Sequence, residues 1–138
     1  MQGEEVYSVR RITEEDFALI TKWCKDWKFP DIVSNLRALP ERGYIASCDS
    51  IDVFCGFLYL TDSLFAHPEW IISNKEVKDK DKRKQALKLL FAKMEEEAKE
   101  LGHSIFLMSV KHPLLLKSLK EVGFEQTDKN MTNLIKIL

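Results

Sequence analysis

The stretch from residue 69 to 124 constrains the fold more than any other part of the chain. It opens on a short apolar run, Trp70-Ile71-Ile72-Ser73, and passes through a lysine-rich segment into a long amphipathic pattern. A second apolar run, Ile105-Phe106-Leu107-Met108, and a final helical segment closed by Val122-Gly123-Phe124 follow. Strand, helix and strand in that order require a crossover, a parallel strand pair and right-handed chirality. Leu87, Leu90, Phe91, Met94, Ala98 and Leu101 recur at helical spacing and make one apolar stripe. The opposite face is Lys and Glu, including the favourable Glu95–Lys99 spacing. Gly102 ends this helix, and Pro113 opens the next, whose Leu115, Leu119 and Val122 face inward.

The flanking sequence adds antiparallel strands. Val6 to Ile12 alternates as a strand. Thr13 caps the following helix, with Asp16 at the capping-box position. Phe17, Ile20, Trp23, Cys24 and Trp27 form its apolar face until Pro30 interrupts it. A short second helix is expected over 31–39, before Pro40 and Gly43. Tyr44–Cys48 and Val53–Leu60 read as a hairpin around residues 49–52, and Asp62, Ser63 and Pro68 mark the next connection. Phe124–Thr127 and Met131–Leu138 read as a terminal hairpin around Asp128-Lys129-Asn130. The expected order is β-α-α-β-β-β-α-β-α-β-β, a single α/β domain over residues 1–138 with a mixed sheet.

Composition narrows the function classes. The chain has 138 residues, 45% of them hydrophobic and 31% charged, with a net charge of −1. This is the profile of a globular protein, and it speaks against an electrostatic nucleic-acid binder. No apolar run approaches the roughly 20 residues of a membrane span, and the acidic N-terminus does not read as a signal peptide. Cys24, Cys48 and Cys55 lack metal-site spacing and read as reduced core thiols of a cytoplasmic protein, with no metal expected.

The basic segment Asn74–Lys84 precedes Gln85-Ala86-Leu87, where the long helix is expected to start. Residues Lys78 to Lys84 carry five basic and two acidic side chains, a net of +3. Lysines at a helix start oppose the dipole and cost a few tenths of a kcal/mol each. An anion on the helix N–H groups reverses that sign, which points to a phosphate-bearing cofactor. The competing reading is a solvated, frayed helix start whose charges compensate one another.

The order of elements resembles the GNAT superfamily of N-acetyltransferases over nearly the whole chain. The carriers are Ile71-Ile72-Ser73-Asn74, the helix opening Ala86-Leu87-Lys88-Leu89-Leu90 and the helix ending Leu119-Lys120-Glu121-Val122-Gly123-Phe124. Gly123-Phe124, Thr127-Asp128, Asn130, Thr132 and Leu134-Ile135 are also similar to the ending of small phage-encoded members. The resemblance implies acetyl-CoA in an opening between Trp70–Ser73 and Ser104–Val110, with pantetheine on the backbone of Ile71, Ile72 and Ser73. The family's R/Q-x-x-G-x-G/A phosphate loop falls on Lys78, Asp79, Lys80, Asp81, Lys82 and Arg83, with Lys84 adjoining. Asp81 and Arg83 replace both glycines there. Ser118 lies beside Leu119, which stands where many members carry a tyrosine that protonates the departing thiolate.

The resemblance further implies a glutamate base, for which Glu69 is the candidate. His112, near a position where the family often has asparagine, is a second proton-exchanging candidate. Read structurally, Glu69 is an exposed carboxylate at a strand start, His112 an N-cap and His67 a loop residue. Tyr44 and Tyr59 read as packing. The leading functional expectation is acetyl transfer from acetyl-CoA to an unidentified amine, of a small molecule or a protein, by direct attack. A GNAT fold that binds acyl-CoA or a protein without turnover is the alternative. An interaction protein built on Trp23, Trp27 and Phe29 is a third reading. A homodimer is compatible with either of the first two.

Overall fold

The computed structural model describes residues 4–29 and 38–138. Five strands, β1 (Tyr7–Arg11), β2 (Gly43–Cys48), β3 (Ile51–Leu60), β4 (Phe65–Ser73) and β5 (Ile105–Phe106), form one sheet in the order β1-β2-β3-β4-β5. Neighbours are antiparallel except β4 and β5, which are parallel. This is the mixed α/β sheet that the sequence implies. Helix α2 (Lys80–Glu100) covers one face and α1 (Phe17–Asp26) the other, while α3 (Pro113–Glu121) follows β5. The expected 31–39 helix falls mostly outside the described residues.

Local signals explain most of these elements. Thr13 and Asp16 form both halves of the capping box, which opens a single 3₁₀ turn before α1. Arg10 makes a bidentate pair with Asp16 at 2.7 Å on both arms, tying β1 to that turn. The β2–β3 hairpin turns on Asp49 and Ser50, with φ of 50° and 68°, as a two-residue turn of this hand requires. Helices α2 and α3 each end on a left-handed glycine, Gly102 and Gly123. His103 N–H reaches Ala98 O at 2.9 Å and Phe124 N–H reaches Leu119 O at 3.1 Å, closing both ends in the same manner.

The core has two layers. Leu87, Leu90, Phe91, Met94 and Ala98 of α2 pack on Tyr44, Ala46, Phe54 and Leu58, joined by Leu119 of α3. On the other face, Ile20, Trp23 and Cys24 of α1 pack on Ile45, Cys55, Phe57 and Ile72. All three cysteines are buried and unpaired. Tyr44 is a packing residue as expected, and its hydroxyl also donates to Glu97 at 2.7 Å. Burial and that bond push the phenol up to about 12.

Several boundaries depart from expectation. Strand β3 begins at Ile51 rather than Val53, so the β2–β3 turn has two residues, not the four of 49–52. Strand β4 begins at Phe65, not Trp70, so His67 and Pro68 lie inside a strand. Register explains why a proline fits. Leu58, the partner of Pro68, gives its N–H to Arg42 O on the β2 side, so the Pro68 nitrogen points away from β3, where no donor is needed. Helix α2 begins at Lys80 rather than near Gln85, because Asp79 caps it and no glycine interrupts a run of good helix formers. The terminal hairpin is absent. Residues 125–138 contain no strand and are exposed, and β5 is only two residues long. Phe124 is held instead against Phe91 and Phe106, with ring centroids 5.4 and 6.4 Å away, and so opens no strand beside β5.

Candidate active-site cleft between the fourth and fifth strands

Strands β4 and β5 share a ladder only at Phe65↔Ile105 and Ala66↔Phe106, extended by one bond from Leu107 N–H to Ala66 O at 3.1 Å. Beyond it the two arms separate, and side chains span the widening gap. His67 Nδ1 lies 2.9 Å from Leu107 O, and Ser109 N–H donates to Glu69 Oε1 at 2.9 Å. Farther out, Trp27 Nε1 donates to Ser73 O at 2.8 Å while its ring meets His112 edge-on at 6.2 Å. The result is a wedge with Glu69 near its apex and Trp27 across its mouth.

A bulge in β4 opens this wedge. Cys55 pairs with Ile72 and Phe57 with Glu69, so β4 carries one residue more than β3. Trp70 takes up the excess with φ of 54°, a left-handed conformation that is uncommon and strained for an aromatic residue. It is fastened by a 2.8 Å bond from its Nε1 to the Tyr59 hydroxyl and by an edge contact with Phe29 at 6.1 Å. Past the bulge, Asn74 N–H pairs with Val53 O and Ile72 with Cys55, so alternation turns the peptide groups of Ile71 and Ser73 toward the wedge. Ile71 and Ile72 side chains enter opposite core layers, leaving only their backbone for a ligand.

Glu69 is partly buried. Loss of solvent raises its carboxyl above the ordinary glutamate range, opposed by the Ser109 N–H and the neighbouring His67. An ionised carboxylate there is a stronger base than one in water, and its two oxygens can hold a water or an ammonium proton. His67 stands beside it on a strand, not in a loop; only the register, with Tyr59 opposite His67, exposes this.

The basic segment is built differently from a glycine loop. Asp79 Oδ1 accepts the N–H groups of Asp81 and Lys82 at 2.9 and 3.2 Å, so a carboxylate already occupies the helix start. Lys78, Lys80 and Lys84 are exposed, and Lys84 lies 3.7 Å from Glu121 of α3. Lys82 approaches Glu5 at 3.8 Å. Arg83 turns inward: Nη2 donates to Ser73 Oγ at 3.0 Å, Nη1 to Val77 O at 3.1 Å, and the guanidinium lies 5.7 Å from the Phe54 ring. It makes no ion pair among the described residues, and burial lowers its proton affinity without discharging it. A half-buried cation at the β4 exit is therefore available to an anion.

His112 is the N-cap of α3; its Nδ1 accepts from Leu114 N–H at 3.2 Å, which leaves the ring proton on Nε2. Ser118 Oγ donates to Leu114 O of its own helix at 3.1 Å. Ser118, Lys84, Lys88 and Glu121 line a cavity of about 410 Å³ between α2 and α3. Leu119 is 1% exposed and belongs to the α2 core layer. The structure thus gathers Glu69, Ile71, Ser73 and Arg83 along one wedge, sets His112 at its mouth and leaves the lysines as a flanking rim. Trp23 is buried and Trp27 and Phe29 are half-buried against the α1 core layer, so the three make no exposed aromatic patch; the bond from Trp27 to Ser73 is what helical spacing does not show.

No family model and no curated protein matches the chain. Solved structures do. Aminoglycoside N-acetyltransferase AAC(6')-Iy, in a complex with CoA, superposes with a TM-score of 0.71 at 15% identity, covering 99% of both chains. An acetyltransferase of the GNAT family from Staphylococcus aureus gives 0.70 at 10% identity, covering 90% of this chain and 87% of that one. A transcriptional regulator from Bacillus halodurans gives 0.69 at 17%, covering 94% and 100%. The chain therefore has the GNAT fold. Among the described residues, no helix is long and apolar enough to cross a membrane.

Proposed function

We propose that this protein binds acetyl-CoA in the β4–β5 wedge and transfers the acetyl group to an amine. The observation that carries the reading is the wedge itself. Two peptide groups of β4 face a gap that has a partly buried carboxylate at its apex and an unpaired, half-buried guanidinium at its outer end. Neighbours of the same fold include one solved with CoA. The thioester would lie near Glu69, the pantetheine along Ile71–Ser73 and the phosphates by Arg83, with Lys82, Lys84 and Lys88 as a screened cationic rim.

The chemistry needs little beyond positioning. The amine nitrogen attacks the thioester carbonyl, the C–S bond breaks, and CoA leaves as thiolate. Glu69, or a water held by it, takes the ammonium proton. Leu119 is buried and Ser118 is committed to Leu114, so neither donates to the thiolate. A thiol with a pKa near the cysteine reference of about 8.5 can leave as the anion and be protonated by water. Release of free thiol from acetyl-CoA against a panel of amines tests the reading; no amine-dependent release with any of them would reject transfer.

A second reading, binding without turnover, is favoured by Leu119 and Ser118, neither of which can protonate the departing thiolate. In either reading the Asp79 carboxylate sits where phosphate would otherwise meet the helix N–H groups. Asp79→Ala is expected to destabilise the protein by about 1 kcal/mol through loss of the cap. The same change should tighten CoA binding by freeing two N–H groups and removing a repulsive charge. Urea unfolding with and without CoA reads both effects. Unchanged CoA affinity in this variant would mean that the helix start plays no part in the site.

A further inference from the structure

Trp27 is the C-cap residue of α1, directly before Lys28 with its left-handed φ of 58°. Its ring packs half-buried against the α1 core layer. That N–H sits 2.8 Å from the Ser73 carbonyl, which the β4 alternation turns toward the wedge. The same ring touches His112 on the opposite arm, and Lys75 Nζ lies 4.8 Å from its centroid while donating to Asp26 O at 3.2 Å. One side chain therefore bridges both arms of the cleft.

We infer that Trp27 and the cofactor compete for the same place: the indole N–H holds the Ser73 carbonyl that an amide N–H of the cofactor's arm would take. This rests on the acetyl-CoA reading and adds to it a residue that sets access. A linear amide-bearing arm running from Glu69 to Arg83 must pass Ser73, where the indole ring that donates to the carbonyl already stands in its path. Binding then requires the indole to leave Ser73 and lose its contact with His112, while Lys75 is free to move with the ring or stay. Trp27 consequently sets how fast and how tightly the arm is admitted, without touching the reacting atoms.

The test is a titration of wild type, Trp27→Phe and Trp27→Ala with CoA and with adenosine 3′,5′-bisphosphate, which carries the phosphates but lacks the arm. Losing the N–H contact should tighten CoA binding about fivefold in Trp27→Phe, the size of one ordinary hydrogen bond. Trp27→Ala should gain at least as much and associate faster. The bisphosphate should bind all three proteins alike. CoA should also change the tryptophan emission of wild type, and Trp27→Phe should lose that change. Equal CoA affinity in all three proteins, or equal gains for CoA and the bisphosphate, would overturn the competition while leaving CoA binding intact. Failure of every protein to bind CoA would overturn the cofactor reading and the competition with it. Should Trp27→Ala not fold, Trp27→Phe keeps the ring in place and decides the matter.

Discussion

Glu69→Gln is expected to lower acetyl transfer about 10²–10⁴-fold, the usual contribution of a positioned general base. It should at the same time stabilise the protein at neutral pH. Burial raises the folded carboxyl above its unfolded value, so the folded state keeps its proton over a wider range. The stability this contributes is complete below the unfolded pKa of about 4.3 and is lost as pH rises through the raised folded value. At pH 7 the ion therefore sits in a partly dry site at a cost, which an amide removes while its oxygen still accepts from Ser109 N–H. Thermal unfolding at pH 7 should favour the variant, and the difference should shrink toward pH 4. Unchanged transfer rates, or a variant less stable at pH 7, would show that Glu69 only joins the two arms.

Leu119→Ala is expected to cost about 2–5 kcal/mol in urea unfolding, the range for an aliphatic side chain removed from a packed core. Leu119 is 1% exposed and lies among Leu87, Phe91 and their neighbours, so its loss leaves a void that α2 and α3 cannot both close. The same placement decides what tyrosine would do there. Leu119→Tyr should overpack this layer, at about 1–3 kcal/mol, and bring no gain in thiol release, because the side chain points into the core and away from the wedge. A stable Leu119→Tyr with faster thiol release would instead mean that α3 presents this position to the cofactor.

What the sequence reveals follows from how local each signal is. The apolar stripe of α2, the Thr13–Asp16 box and the existence of the β2–β3 hairpin are set by neighbours a few residues apart, and each is legible, though the turn is two residues shorter than the 49–52 connection expected. The start of β4 is not, since His67 and Pro68 carry loop chemistry and become strand residues only because the proline nitrogen faces the wedge. The start of α2 turns on Asp79 accepting two N–H groups, a cap that a run of alternating charges conceals. The expected 124–138 hairpin turns on Asp128-Lys129-Asn130, but a strand needs an edge to pair with, and β5 has two residues.

The site divides in the same way. Glu69 and the backbone of Ile71–Ser73 come from the resemblance, and the structure places them along one gap. Arg83 is in the sequence-derived set as one cation among five, whereas its inward turn to Ser73 and Val77 depends on a contact ten residues away. The roles of His67 and Trp27 depend on partners 40 and 46 residues distant, which no periodicity encodes.

The most direct measurement is calorimetric titration of the protein with CoA, paired with thermal unfolding at the same ligand concentrations. The wedge and Arg83 predict binding of micromolar order, about −8 kcal/mol. At a hundredfold excess over Kd this would add about 2.7 kcal/mol to folding stability. Binding should weaken as salt rises, because the rim lysines act through screened charge. No heat and no thermal shift at millimolar CoA would contradict the account.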